Sequence, residues 1–381
     1  MSKWLVRIIL VLAAVVVLPI LAAHLFLVLQ VVGMPGKSYQ GPPPEPDSGL
    51  MKSAERLRAD VEALSYDRSI YNPSGLAEAG RWVEEAFRGL GFNPTRQDYI
   101  LDADTIRGSI DARSRVGVRY GRYEIENQKV TNFWVRIPGS VVPEALLVVG
   151  AHYDTVSGCP GAYDNAAGVA CLLEIGRNLL KAGPEVSVLL VAFTCEEHPA
   201  SMAGFSGSDY FADLLLAERV GNGKSLPFGM ISLETLGNFS DEPGSQLHPF
   251  PLQFYFPDAG NFVAFVGDYS SRSFITQIIG RYREVGTVPS EGLSIPTEIV
   301  GDVMRSDHSA FIERGIQGMM VTDTANFRVP NPYHTAEDTP EKIDYLTLAR
   351  LTKGLSHAIR TARPPESASL HGGDKGIGLG D

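Results

Sequence analysis

The chain is 381 residues long, with 33 basic against 44 acidic side chains and a formal net charge of -11. At about 100 to 200 residues per domain it holds one large domain or two ordinary ones, and a hydrophobic fraction of 44% is globular composition rather than disordered or fibrous. The acidic balance argues against a nucleic-acid partner, which calls for a basic face.

The first element in chain order is the apolar run Ile8 to Val32, interrupted only by Pro19, His24 and Gln30. As a helix it is long enough to cross ~30 Å of hydrocarbon. Lys3 and Arg7 precede it and no Lys or Arg follows until Lys37, so it reads as a single membrane-spanning anchor with the bulk of the chain on the extracytoplasmic side. Cleavage as a signal peptide would leave the chain secreted. Residues 34–49, rich in Pro and Gly, read as a tether, residues 50–363 as the globular domain, and residues 364–381, rich in Gly and Ser, as a disordered tail.

Within the domain, Leu57, Val61 and Leu64 share one helical face, and a second helix spans Leu76 to Leu90 with Gly91 closing it. Strand-like runs follow at Phe133 to Ile137, Leu146 to Val149, Val186 to Phe193, Phe228 to Leu233, Phe262 to Val266 and Gly318 to Thr322. Helical stretches lie between several of them, at Asn165 to Lys181, Gly207 to Leu216 and Ser273 to Glu284, with a last one at Ile343 to Arg363. This alternation predicts an α/β fold with a mixed, mostly parallel central sheet covered by helices on both faces. Antiparallel strands are expected at one edge, between Gln97 and Val135. The segment from Asp104 to Gln128 carries no interpretable pattern.

Chemistry-bearing residues recur at the ends of the apolar runs. Leu146 to Ala151 leads into His152 and Asp154, the form of a metal ligand with a carboxylate behind it. Val186 to Phe193 leads to Glu196 and Glu197, and Met230 to Leu233 ends in Glu234. Asp164 precedes a small-residue turn and could simply cap a helix, and His334 sits in a Pro-braced loop. Two His and several carboxylates without Cys suit zinc in N/O coordination with a position open to water.

The strings AHYDTV, GAYDNAAG, CEE, SLETLG, SDHSAF and NPYHTAEDT, in this order, resemble the di-zinc aminopeptidase family. That family includes secreted bacterial leucyl aminopeptidases and aminopeptidase Y, with glutamate carboxypeptidase II and the glutaminyl cyclases as relatives. The resemblance spans roughly residues 50 to 362 and implies a zinc exopeptidase fold of the phosphorylase/hydrolase-like kind. It implies two Zn²⁺ bridged by Asp164, with His152 and Glu234 completing one site and Glu197 and His334 the other. Glu196 would be the general base toward a zinc-bridging hydroxide, Asp154 would stand behind His152, and His308 would shape the pocket rather than bind metal. Two positions depart from the family: Glu234, where many members have Asp, and Cys195, where small or apolar residues are common.

The expected activity is hydrolysis of N-terminal residues from peptides, so the expected partners are a peptide substrate and, through the anchor, a membrane. Oligomeric state and side-chain preference stay open. A single-zinc glutaminyl cyclase is the enzymatic alternative, against which Asn165 stands because the cyclases generally carry Ser there. A non-catalytic ectodomain of the transferrin-receptor kind is the other. Cys159, Cys171 and Cys195 show no zinc-finger spacing and allow at most one disulfide.

Overall fold

The computed structural model describes residues 24–114 and 124–365, with scattered positions earlier in the chain. The tail from Pro364, but for its first two residues, and the middle of the stretch between Asp104 and Gln128 lie outside the described residues.

Eight strands form one sheet: β1 (Thr95–Leu101), β2 (Gln128–Ile137), β3 (Val142–His152), β4 (Val186–Phe193), β5 (Gly229–Glu234), β6 (Val263–Asp268), β7 (Ser290–Ile295) and β8 (Gly318–Thr322), in the order β1-β2-β4-β3-β5-β8-β6-β7. The centre is parallel because helices make the crossovers, α4 (Ala167–Lys181) from β3 to β4 and α5 (Gly207–Gly221) from β4 to β5. β1 and β2 supply the expected antiparallel edge. A third antiparallel pair, β6 with β8 and away from that edge, was not expected. The loop that follows β5 brings no α-helix before β6, so nothing forces β6 into the common direction.

Burial on both faces explains the composition of the central strands, and every residue of β4 is buried. In β3, Leu147, Val149 and Ala151 face a core shared with α1 (Ser48–Leu64), α4 and α8 (Tyr345–Arg360). Leu146 and Val148 face the other, with α5 and the short α7 (His308–Ile312). The remaining helices are α2 (Pro73–Gly89), α3 (Ala103–Ser114) and α6 (Arg272–Arg283). Asp47, Asn72 and Asp344 cap α1, α2 and α8 by accepting from Leu50 N, Gly75 N and Thr347 N. The three cysteines are free and buried.

The anchor expectation requires correction: among the described residues, no helix is long and apolar enough to cross a membrane. A single-pass protein with its catalytic domain outside is therefore not supported. The end of the apolar run folds onto the domain instead. Leu27–Val32 forms a π-helical turn with Val31 fully buried in a core shared with Leu293 and Ile295 of β7. Arg272 donates to Leu29 O and Gly33 O, Arg283 to Pro35 O, and Ser290 N to Ser38 Oγ. The stretch from Leu27 to Ser38 is thus a strap along the sheet's β7 edge.

Candidate metal centre

Strand order reverses at β3, with β4 on one side and β5 on the other. The crevice outside the carboxyl ends of diverging strands is where open α/β sheets bind ligands. His152 ends β3, Glu196 and Glu197 follow β4, and Glu234 ends β5. Asp164 enters from the turn before α4, and His334 from the loop after β8.

The two oxygens of Asp164 face two different histidines. Its Oδ1 lies 3.2 Å from His152 Nε2 and its Oδ2 lies 3.0 Å from His334 Nε2. His152 Nε2 also faces Glu234 Oε2 at 3.4 Å, and His334 Nε2 faces Glu197 Oε1 at 3.2 Å. Asp154 stands behind His152, 3.5 Å from its Nδ1. The same carboxylate accepts from Glu196 N at 3.1 Å and Glu197 N at 3.0 Å, which fixes the turn that carries the glutamate pair.

The turns around the site are sharp. Cys195 (φ 60°), Thr235 (φ 46°) and His334 (φ 60°) adopt the left-handed conformation without being glycine. Each costs of order 1 to 3 kcal/mol, and such residues cluster at functional sites. They stand directly before Glu196, directly after Glu234 and at His334 itself. Gly168 lets α4 press against β5, since a Cβ there would lie 2.6 Å from Leu233 O.

Several supports carried no assigned role in the sequence. Asp338 accepts from Tyr163 N at 2.6 Å and Asp164 N at 3.0 Å, clamping the Asp164 turn. It lies inside NPYHTAEDT, so its motif was visible but its partner was not. Asn165 donates to Leu233 O, and Ser306 donates to Glu234 Oε2 at 2.9 Å. Arg68, fully buried, donates to Tyr153 O, Pro160 O and Gly161 O and so ties the ends of the β3 loop together. A lone Arg before α2 gives no sequence signal of this. His308 donates to or accepts from no site residue; its Nε2 lies 2.7 Å from Val303 O and burial pulls its pKa down to about 4.

Charge at the site is unbalanced. Asp154, Asp164, Glu196, Glu197, Glu234 and Asp307 converge on His152 and His334, so two protonated imidazoles could not neutralise six ionised carboxyls. Burial pushes Glu197 up to about 8, reinforced by the charge of Asp164 and opposed by His334. Burial likewise drives Glu196 well above the usual carboxylate range, although its side chain keeps an edge open to the cleft. For Asp164, burial is outweighed by hydrogen bonds to the two imidazoles, which hold it well below that range. Burial opposes charge on His334, yet its carboxylate partners raise it to about 10.

His152, Asp164 and Glu197 each offer a ligand atom within 4.8 Å of the others and could hold a metal ion. Asp164 Oδ1 and Glu197 Oε1 are buried, and beyond the imidazole nitrogens at 3.2 Å no hydrogen-bond donor among the described residues reaches them; a buried carboxylate so poorly supplied is costly. Poorly supplied carboxylate oxygens, imidazole nitrogens turned toward them and surplus negative charge all fit a divalent cation.

Two cavities meet at the site. One, lined by Glu196, Glu197, Ser208, Asp307, Tyr333 and His334, is the cleft over the carboxylates. The other opens beside Glu234, encloses ≈ 840 Å³ partly open to solvent, and is walled by Leu252, Phe256, Phe262, Val266 and Met320.

The sequence matches the pattern of Peptidase family M28 across residues 132–359, more than half of the chain. The chain belongs to Peptidase family M28. It is thereby a member of a zinc metallopeptidase family. The M28 match runs from within β2 to the last turn of α8, so α1, α2, β1 and the strap lie outside it. Among curated relatives, the uncharacterized protein YfbL of Escherichia coli is 28% identical over 322 residues, 81% of this chain and 88% of that one. A probable zinc metalloprotease of Phaeosphaeria nodorum is 27% identical over 207 residues, 48% of this chain but 36% of the fungal protein. Among solved structures, the Bacillus subtilis zinc aminopeptidase BSAP superposes with a TM-score of 0.59 at 15% identity, over 80% of this chain and 94% of that one. A Fimbriiglobus ruber glutaminyl cyclase superposes with a TM-score of 0.54 at 19% identity, over 85% and 98%. At these identities the structural likeness shows the M28 fold alone.

Proposed function

We propose that this M28 chain is a di-zinc aminopeptidase that removes N-terminal residues from peptides. The observation that carries the reading is Asp164, whose two carboxylate oxygens face two separate His-carboxylate sets. In this reading His152 and Glu234 hold one ion, Glu197 and His334 the other, and Asp164 bridges them. Zinc bound there would polarise the scissile carbonyl and lower the pKa of water.

The protein's own groups supply the rest. Glu196 forms no ion pair with His152 or His334, and its backbone is held by Asp154. Lining the cleft, its carboxylate would take the proton of the attacking water and return it to the leaving amine. Burial raises the pKa of that carboxyl above the usual carboxylate range, which strengthens it as a base. The surrounding carboxylates favour a cationic α-amino group, and the apolar cavity beside Glu234 suits an apolar side chain.

Glu196→Gln tests the assignment. The variant is expected to retain zinc by elemental analysis while hydrolysis of a leucyl peptide falls by roughly 10²- to 10⁴-fold. Near-normal turnover would remove Glu196 from the mechanism. The fold is shared with glutaminyl cyclases, and zinc content separates the two: about two ions per chain supports the peptidase, one ion with cyclisation of an N-terminal Gln peptide the cyclase.

A further inference from the structure

Arg305 lines both the carboxylate cleft and the apolar cavity. Among the described residues lining either one it is the sole Lys or Arg, against Glu196, Glu197, Asp209, Asp307, Glu234, Glu291 and Asp302. A cation alone at the junction of two acidic spaces is a candidate for ligand recognition, and its contacts leave it available for one. Its nearest acceptor is Asp302 Oδ1 at 3.1 Å, an ion pair exposed on both sides and so of little worth in holding the side chain. Asn326 Oδ1 and Tyr333 Oη both lie 3.5 Å away, at the limit of a hydrogen bond. The Tyr333 ring in turn stacks on His334 with centroids 3.7 Å apart. The guanidinium therefore stands one aromatic ring from an imidazole that faces Asp164.

We propose that Arg305 recognises a carboxylate on the substrate, one residue beyond the scissile bond. The inference rests on the peptidase reading and names its substrate class: dipeptides, or peptides with an acidic second residue. The planar fork of Arg matches a carboxylate in two parallel hydrogen bonds. Away from the proposed zinc ligands, the cleft presents Glu196, Asp209 and Asp307, which do not attract an anionic group. Arg305 is the one lining side chain that reverses this preference, so it selects among peptides while Glu196 and the histidines treat all of them alike.

The test uses the zinc-loaded full chain. Binding of Leu-Ala, Leu-Ala amide and Leu-Asp amide is measured by calorimetry in the Glu196→Gln background, where substrate stays intact. Leu-Ala is expected to bind roughly tenfold or more tightly than its amide, the worth of a hydrogen-bonded charge pair. Arg305→Gln abolishes that difference, and Arg305→Lys restores part of it. Tight binding of Leu-Asp amide assigns the carboxylate to a side chain, and tight binding of Leu-Ala alone to the C-terminus. With Glu196 intact, the loss in Arg305→Gln falls in KM rather than kcat. Equal affinities for Leu-Ala and both amides, or equal weakening of all three by Arg305→Gln, overturns the proposal and leaves Arg305 a structural residue. Turnover of free-amine peptides by the wild type is scored separately; its absence sinks the peptidase reading, while the binding comparison still decides the role of Arg305.

Discussion

At the residue scale, the centre depends on carboxylates that never face a ligand. Asp338 holds the backbone N–H groups of Tyr163 and Asp164, so Asp338→Asn keeps the size of the clamp but turns one of its two accepting oxygens into a donor. Loss of such a support typically costs ten- to a hundredfold in metal affinity, and competition against a chromogenic chelator is expected to show that for zinc. An unchanged affinity would mean that the turn holds itself. The pH response follows from His334 and Glu197. Below its pKa of about 10, metal-free His334 is a cation between two carboxylates. That stabilisation is full below the pKa of the unfolded imidazole, about 6.5, and fades as pH rises through 10. Glu197, raised to about 8, acts in the same direction, because ionising it without a metal becomes unfavourable. Zinc needs both groups deprotonated. Chelated protein should therefore lose thermal stability between about pH 7 and pH 9, while the gap to the zinc-loaded form widens; a gap that narrows would contradict the assigned ligands.

Elements differ in how plainly the sequence announces them. The central strands were legible because burial on two faces demands unbroken apolar runs, and β4 and β8 fall on the residues that the runs mark. β7 was not legible, since Ser290–Ile295 reads SEGLSI and owes its place to pairing with β6. α3 was missed because its polar residues show little apolar period. The site residues were readable as strand-end carboxylates and imidazoles, and their grouping was supplied by the family resemblance. Arg68 and Asp338 were unreadable, because a hydrogen bond to a distant backbone leaves no local pattern. The anchor reading failed at the end of the run: in sequence, Val31 looks the same whether lipid or a sheet edge covers it. Val31→Ala is expected to lower stability by about 1 kcal/mol or more, from a fully buried side chain. Urea unfolding measures it, and a change within a few tenths would show that the strap is not an integral element.

On the scale of the whole molecule, the strap and the substrate cavity share one core. Val31 belongs to the same buried cluster as Leu252, Phe262, Val266 and Met320, which wall the apolar cavity. Gly292 records the contact from the other side: it lines the cavity, and a Cβ on it would run into the Met34 side chain. A chain that begins at residue 44 retains every candidate metal ligand yet lacks this support. It is expected to bind zinc, melt several degrees lower, and lose more kcat/KM on leucyl than on alanyl peptides. Parallel calorimetry and kinetics on the full chain check this, and identical selectivity would uncouple strap from cavity.

Ser38 and its partner Ser290 are 252 residues apart in sequence. At a synthesis rate of about 5 to 20 residues per second, the strap leaves the ribosome roughly 10 to 50 s before the strand that receives it. Throughout that interval the stretch from Leu27 to Ser38 has no seat on its own chain. Val31 and Val32 stay exposed until the edge of the sheet is made, so the strap is among the last parts of the fold to find its place.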